Sequence, residues 1–160
     1  MPVAADGVKD VTIWIDGEVV YPDDRSAFPS DDEKNYNSLM HFTNCENLKF
    51  TGSGTGVIEG QGYWWWVNEF LGTNKYSRPH MLLIEVCKNI LFENIMLRNS
   101  PKFHFKLQDI DGLEVRNMEI FTDWWGSRRK SSSFRLPIFP LNTDGIDPAG
   151  KNIHIHDIKI

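Results

Sequence analysis

The sequence predicts an all-β fold, a right-handed single-stranded parallel β-helix forming one domain over residues 1–160. Three observations predict it. A short segment aligns with itself four times without gaps, apolar residues alternate with period two inside each copy, and Asn, Gly or Asp recurs at fixed places between the runs. The copies are 45–52, 87–94, 110–117 and 150–157. Leu48, Ile90, Leu113 and Ile153 share one apolar position, and Phe50, Phe92, Val115 and Ile155 share the next. Such alternation gives a short strand with one buried face. Asn47, Asn89, Gly112 and Asn152 precede the apolar pair, while Gly52, Asn94, Asn117 and Asp157 follow it. These residue types tolerate a left-handed backbone, so each marks a sharp bend. A strand–bend–strand unit cannot bury its inner face alone, and stacking the units makes one continuous core. Helical periodicity is weak everywhere, so no helix is expected.

The elements follow in chain order. Residues 8–15 alternate through Val11, Ile13 and Ile15 and read as a strand inside the solenoid rather than its cap. A second alternating pair follows the last three copies, as Ile95/Leu97, Met118/Ile120 and Ile158/Ile160. A last rung of this kind leaves an apolar face and a strand edge uncovered, so the β-helix is expected to be incomplete at both ends. Asn89 to Gly112 spans 23 residues, one coil; the intervals of 42 and 40 residues on either side each hold a coil plus an insertion. The inserted loops fall at about 60–79, rich in Trp and Gly, and about 122–141, rich in Arg, Ser and Pro. Cys45 and Cys87 share a repeat position, which puts them on neighbouring rungs about 4.8 Å apart. A disulfide is within reach there, but free buried thiols are expected, because Cys is a common small core residue. Two cysteines are too few for a disulfide scaffold or a structural zinc site.

Composition removes several classes. Seventeen basic and 22 acidic residues give a net charge of −5, so no nucleic-acid partner is expected, since phosphate binding needs a basic surface. The apolar runs are far shorter than a membrane span, so no membrane partner is expected either. With 41% hydrophobic and 12% aromatic residues, wholesale disorder is excluded. Residues 1–6 lack a basic region followed by an apolar stretch, so no signal peptide is read there.

Three stretches go beyond solenoid patterning: Gly54-Thr-Gly-Val-Ile-Glu-Gly-Gln-Gly-Tyr-Trp-Trp-Trp66; Arg78-Pro-His-Met-Leu-Leu-Ile84 leading to Asn99-Ser-Pro-Lys-Phe-His104; and Asn142-Thr-Asp-Gly-Ile-Asp147. Together, in this order and on this repeat, they resemble glycoside hydrolase family 28, the polygalacturonases and their relatives, over roughly residues 10 to 160. The resemblance implies secretion and hydrolysis of α-glycosidic bonds in a pectic polysaccharide with inversion, using no metal and no organic cofactor. An inverting glycosidase needs a carboxylic acid to protonate the leaving oxygen. It needs a second carboxylate, about 6.5–9.5 Å away, to activate water on the opposite face. The resemblance places Asp144 in the water-activating role, with Asn142 and Asp147 shaping the subsite. The family's next acid pair would follow one coil later, past Ile160, as would its Gly-His-Gly and Arg-x-Lys motifs. This chain therefore carries only the first catalytic Asp motif, and the remainder of a longer β-helix is an expected partner.

Other residues are weighed beside it. Asp147 either touches substrate or forms a turn with Pro148, Ala149 and Gly150. Strict alternation back from Ile146 would point Asp144 into the core, unless Gly145 breaks the strand. Arg128, with Arg129 and Lys130, either meets substrate carboxylates or belongs to a solvated loop. Trp125, with Trp124, is the stacking candidate nearest Asp144, whereas Trp64, Trp65 and Trp66 are read as packing. His154 and His156 have ligand-like spacing but alternate with Ile153 and Ile155, which puts them on the outer solvated face. His80 and His104 are read as solvated too. A non-catalytic β-helix module that binds or organises polysaccharide is the alternative. A lyase on the same fold would need calcium-binding carboxylates and a basic proton acceptor, and no such constellation is present.

Overall fold

A computed structural model describes residues 2–30, 35–123 and 138–160. The chain makes five successive passes around a solenoid. The first carries β1 (Val3–Asp6), β2 (Lys9–Trp14) and β3 (Glu18–Val20); the second carries β4 (Met40–Thr43), β5 (Glu46–Thr51) and β6 (Gly56–Glu59). The third carries β7 (Leu82–Glu85), β8 (Lys88–Glu93) and β9 (Ile95–Arg98). The fourth and fifth are the long strands β10 (Phe105–Phe121) and β11 (Ile146–Lys159), which bend through all three positions. Every named strand pairs in parallel. The first sheet stacks β1, β4, β7 and the starts of β10 and β11. The middle sheet stacks β2, β5, β8 and the centres of β10 and β11. The third stacks β3, β6, β9 and the ends of β10 and β11.

The sequence repeat is the physical register. Leu48 lies opposite Ile90, Ile90 opposite Leu113 and Leu113 opposite Ile153. Val11 lies opposite Leu48, so residues 9–14 are a further copy that self-alignment did not find. Asn47, Asn89, Asn152, Asn94, Asn117 and Asp157 all have φ between 49° and 57°, as does Asp10 in the added copy. Asn47 Nδ2 donates to Asp10 Oδ1 at 2.7 Å and Asn89 Nδ2 donates to Asn47 Oδ1 at 3.1 Å. At Gly112 (φ 88°) a Cβ would lie 3.0 Å from Asn89 Oδ1, so the side-chain ladder breaks there. It resumes as Asn152 Nδ2 donates to Asp111 Oδ1 at 2.8 Å.

Inside, Phe50 stacks on Phe92 at 4.7 Å and Phe92 meets Phe105 edge-on at 4.7 Å. All three are fully buried, and each contributes about 1.5–3 kcal/mol by leaving water. Cys45 and Cys87 are free and buried. The Cys45 backbone N–H donates to Cys87 Sγ at 3.1 Å, and burial pushes the Cys87 thiol up to about 12.

One element departs from expectation. The 60–79 insertion holds an α-helix, α1 (Tyr63–Phe70). It escapes a periodicity test because its apolar residues face two ways. Trp65 joins the solenoid core with Phe28 and Tyr36 at 5.5 and 5.0 Å. Trp66 joins Tyr63, Val67 and Ile138 in a second cluster. An apolar stripe on one face, the usual helical signal, is therefore missing. The packing reading of these tryptophans is what the structure shows, with Trp65 and Trp66 fully buried. Of the 122–141 insertion, residues 124–137 lie outside the described residues.

Candidate functional site

The three motif stretches, far apart in sequence, bond to one another in space. In the first, Gly60 and Gly62 are required by close approach. A Cβ on Gly60 would lie 2.7 Å from Asn99 O, and one on Gly62 would lie 2.6 Å from Ser100 O. Trp66 Nε1 also donates to Ser100 O at 3.0 Å. Glu59, buried, accepts from Arg98 Nε at 2.5 Å and Asn99 Nδ2 at 3.0 Å. Arg78 is 3% exposed. Its guanidinium donates to Pro101 O at 2.7 Å and to Leu141 O at 2.8 Å, which fixes the residue before Asn142. His104, fully buried, completes the link: its backbone N–H donates to Asp144 O at 2.9 Å, and its Nδ1 lies 3.3 Å from the same oxygen.

These contacts fix the 142–147 segment. Asn142 takes the left-handed backbone (φ 51°), and Thr143 Oγ1 donates to Pro140 O at 3.0 Å. Asp144 is exposed rather than turned into the core. It precedes β11, whose strand register with β10 starts at Phe105 opposite Ile146. Strict alternation therefore does not extend back to position 144. Asp147 is not in a turn: it lies in β11 opposite Lys106, and the irregularity is a register shift beyond Leu107. Lys106 Nζ is ion-paired with Asp147 Oδ2.

The outer face of the first sheet carries the row His41, Leu83, Lys106, Asp147 beside the row Thr43, Glu85, Gln108. Their neighbours Phe42, Leu82, Ile84, Phe105 and Leu107 are buried beneath. His41 Nε2 lies 2.6 Å from Glu85 Oε2. At the Asp147 end, Phe103 is half-buried, with the Lys102 and Lys106 ammonium groups each 5.8 Å from its ring centre and the His80 ring 5.1 Å away. Burial, with the nearby Lys102 and Lys106 adding to it and Asp147 opposing, lowers His80 to about 4. Burial likewise lowers His104 to about 4. Both imidazoles are thus neutral at pH 7, and neither is solvated as the sequence suggested. Burial and Arg78 also lower Lys102. The result is an aromatic ring between two lysines, one of them paired with the Asp147 carboxylate. Such a surface suits a sugar that carries its own carboxylate, by ring stacking and charge-assisted hydrogen bonds.

Of the residues singled out from sequence, Asn142, Asp144 and Asp147 lie on one described segment, with Asn142 and Asp144 exposed and Asp147 paired with Lys106, whereas Trp125 and Arg128 lie outside the described residues. Lys102, Phe103, Lys106 and the bracing role of Arg78 were missed. Lys106 was findable: Phe105 and Leu107 point inward, so Lys106 must point out, one rung below Asp147.

The family model described as Glycosyl hydrolases family 28 matches residues 5–160. A polygalacturonase of Chamaecyparis obtusa is 30% identical over 153 residues, covering 91% of this chain and 26% of its own length. One of Juniperus ashei is 31% identical over 140 residues, covering 83% and 23%. This chain thus spans about a quarter of these relatives. Among solved structures, the polygalacturonase from Erwinia carotovora ssp. carotovora superposes with TM-score 0.71 at 25% identity, over 96% of this chain and 42% of that one. An endo-xylogalacturonan hydrolase from Aspergillus tubingensis shares the fold, with TM-score 0.71 at 21% identity, over 99% and 40%. The chain belongs to glycosyl hydrolases family 28.

Proposed function

We propose that the protein containing this chain hydrolyses α-glycosidic bonds in a pectic polysaccharide, as the polygalacturonases it resembles are named for, and does so by inversion outside the cell. The observation that carries the proposal is the placement of Asp144. Arg78 and His104 of the second motif stretch hold its segment, through Leu141 O and Asp144 O. Its side chain is exposed, and its backbone is bonded to His104, within the Lys102–Phe103–Lys106 stretch of the chain. A galacturonate ring would stack on Phe103 with its carboxylate toward a lysine. Asp144 would take a proton from the attacking water, while a carboxylic acid across the sugar protonates the departing oxygen. Asp147 already accepts from the Lys106 ammonium, so it orients Lys106 rather than supplying that acid. The family resemblance puts that acid on a later pass.

The same ion pair favours the second reading, a non-catalytic pectin-binding module, for a protein in which no such acid follows. Release of reducing ends from polygalacturonate by the intact protein, and its loss by about 10²-fold or more in Asp144→Asn, supports hydrolysis. Saturable binding of polygalacturonate without turnover supports the module. An unsaturated, ultraviolet-absorbing product would contradict both.

A further inference from the structure

We propose that the outer face of the middle sheet carries a binding site for a zinc-class divalent cation, formed by Glu114, His154 and His156. These residues lie outside the surface around Asp144, and the proposal is independent of the pectic reading. Glu114 and His154 are register partners on β10 and β11, and His156 follows two residues on, on the same strand face. One ligand atom from each lies within 4.8 Å of the other two. The two imidazole rings stack at 4.2 Å, inclined by 23°. A tetrahedral zinc site wants its ligand atoms about 3.4 Å apart, as follows from Zn–N distances near 2.0–2.1 Å. The rings are half-buried to exposed, so small side-chain rotations close that gap.

A second observation points to metal rather than to chance adjacency. His156 Nδ1 lies 2.7 Å from Asp157 Oδ2, and its Nε2 faces Glu114 Oε1 at 3.3 Å. The Asp157 carboxylate holds the Nδ1 proton, as metal-bound histidines usually require. In the ion-free chain Nε2 donates to the Glu114 carboxylate, so an entering cation displaces that proton and takes Nε2 and Glu114 together. Arg116 Nη1 donates to Glu114 Oε1 at 2.8 Å. That contact opposes a cation, but Arg116 is also held at Glu93 Oε2 through Nε at 2.9 Å and Nη2 at 2.7 Å. It can therefore release Glu114 without losing its partner. Two imidazoles and one carboxylate suit zinc and its first-row neighbours rather than calcium or magnesium, which prefer oxygen ligands. A bound ion would tie the fifth pass of the solenoid to the fourth and keep one position for water.

The test uses tag-free intact protein stripped of metal by a chelator and titrated with Zn2+ by calorimetry and with Co2+ by visible absorption. The expected result is one saturable equivalent. His154→Ala and His156→Ala should weaken it, and Asp157→Asn should weaken it by about tenfold through the loss of ring orientation. Bound Co2+ should show the intense ligand-field bands of a site with fewer than six ligands. Circular dichroism of the metal-free variants should match the parent, because these side chains lie on the outer face. The absence of saturable binding overturns the proposal, as does an affinity unchanged in the double His154→Ala/His156→Ala variant.

Discussion

Replacing His104 by Phe probes how the Asp144 segment is held. The ring survives the change and its nitrogens do not. In the parent, Ser100 N–H points at His104 Nε2 at 3.4 Å. This assigns the ring proton to Nδ1, where it donates to Asp144 O at 3.3 Å. His104→Phe removes that bond, worth about 1 kcal/mol, and leaves the buried Ser100 N–H without an acceptor, costing about 1–3 kcal/mol. A loss of about 2–4 kcal/mol at pH 7 follows. Acid changes the comparison. Burial lowers His104 from 6.5 to about 4, so as pH falls below 6.5 the unfolded chain takes the proton first. Folding stability then drops by about 1.4 kcal/mol per pH unit until about pH 4. His80 has the same shift and direction; the parent carries both contributions and the variant only one. By pH 4.5 the variant has been spared about 2.4 kcal/mol relative to pH 7, so most of the stability gap should have closed. Urea unfolding of the intact proteins at pH 7 and pH 4.5 measures this. A stability gap that stays constant between the two pH values refutes the buried neutral imidazole.

Three further outcomes are expected. Asn47→Ala should cost about 1–2 kcal/mol in urea unfolding, because a Cβ residue without a polar side chain must hold φ 54° and two ladder hydrogen bonds are lost. Asn47→Gly, which adopts that backbone freely, should cost less. Lys49 first, then Arg116 and Thr51, lower Glu93 to about 2 against the opposing effect of burial. Glu93→Gln should therefore lose about 1–2 kcal/mol at neutral pH, a value discounted because both cationic partners are one-third exposed. That deficit should hold above pH 4.5 and vanish as pH falls toward 2. Arg78→Met strips the donors from Pro101 O and Leu141 O; kcat on polygalacturonate should fall more than KM rises, with partial rescue in Arg78→Lys, because Arg78 positions the 142–147 segment without touching substrate.

Much of the solenoid was legible because each rung repeats the same requirement. Leu48, Ile90, Leu113 and Ile153 must point inward, and Asn47, Asn89 and Asn152 must take a left-handed backbone. The added copy at 9–14 escaped notice because Asp10 replaces Asn at the bend and Trp14 occupies an outer position. Helix α1 was illegible for a different reason: Trp65 and Trp66 are buried in two separate clusters, and neither leaves a one-sided stripe. At the site, local motif resemblance picked out Asp144 and Asp147. It could not pick out Lys102, Phe103 and Lys106, which matter only because the register brings β10 beside β11. His104 was misjudged because burial was inferred from local polarity, whereas the next rung covers it at Asp144; His80 is half-buried against Phe103.

A crystal structure of the intact protein carrying Asp144→Asn, soaked with a galacturonate oligomer, tests the central claim most directly. The account predicts a sugar over the outer face of the first sheet, stacked on Phe103 with a carboxylate near Lys106 or Lys102. Position 144 should lie on one side of a glycosidic bond, with a carboxyl group of a later pass about 6.5–9.5 Å away on the other. An oligomer bound elsewhere on the solenoid, or bound here with no second carboxyl group across the bond, would contradict it.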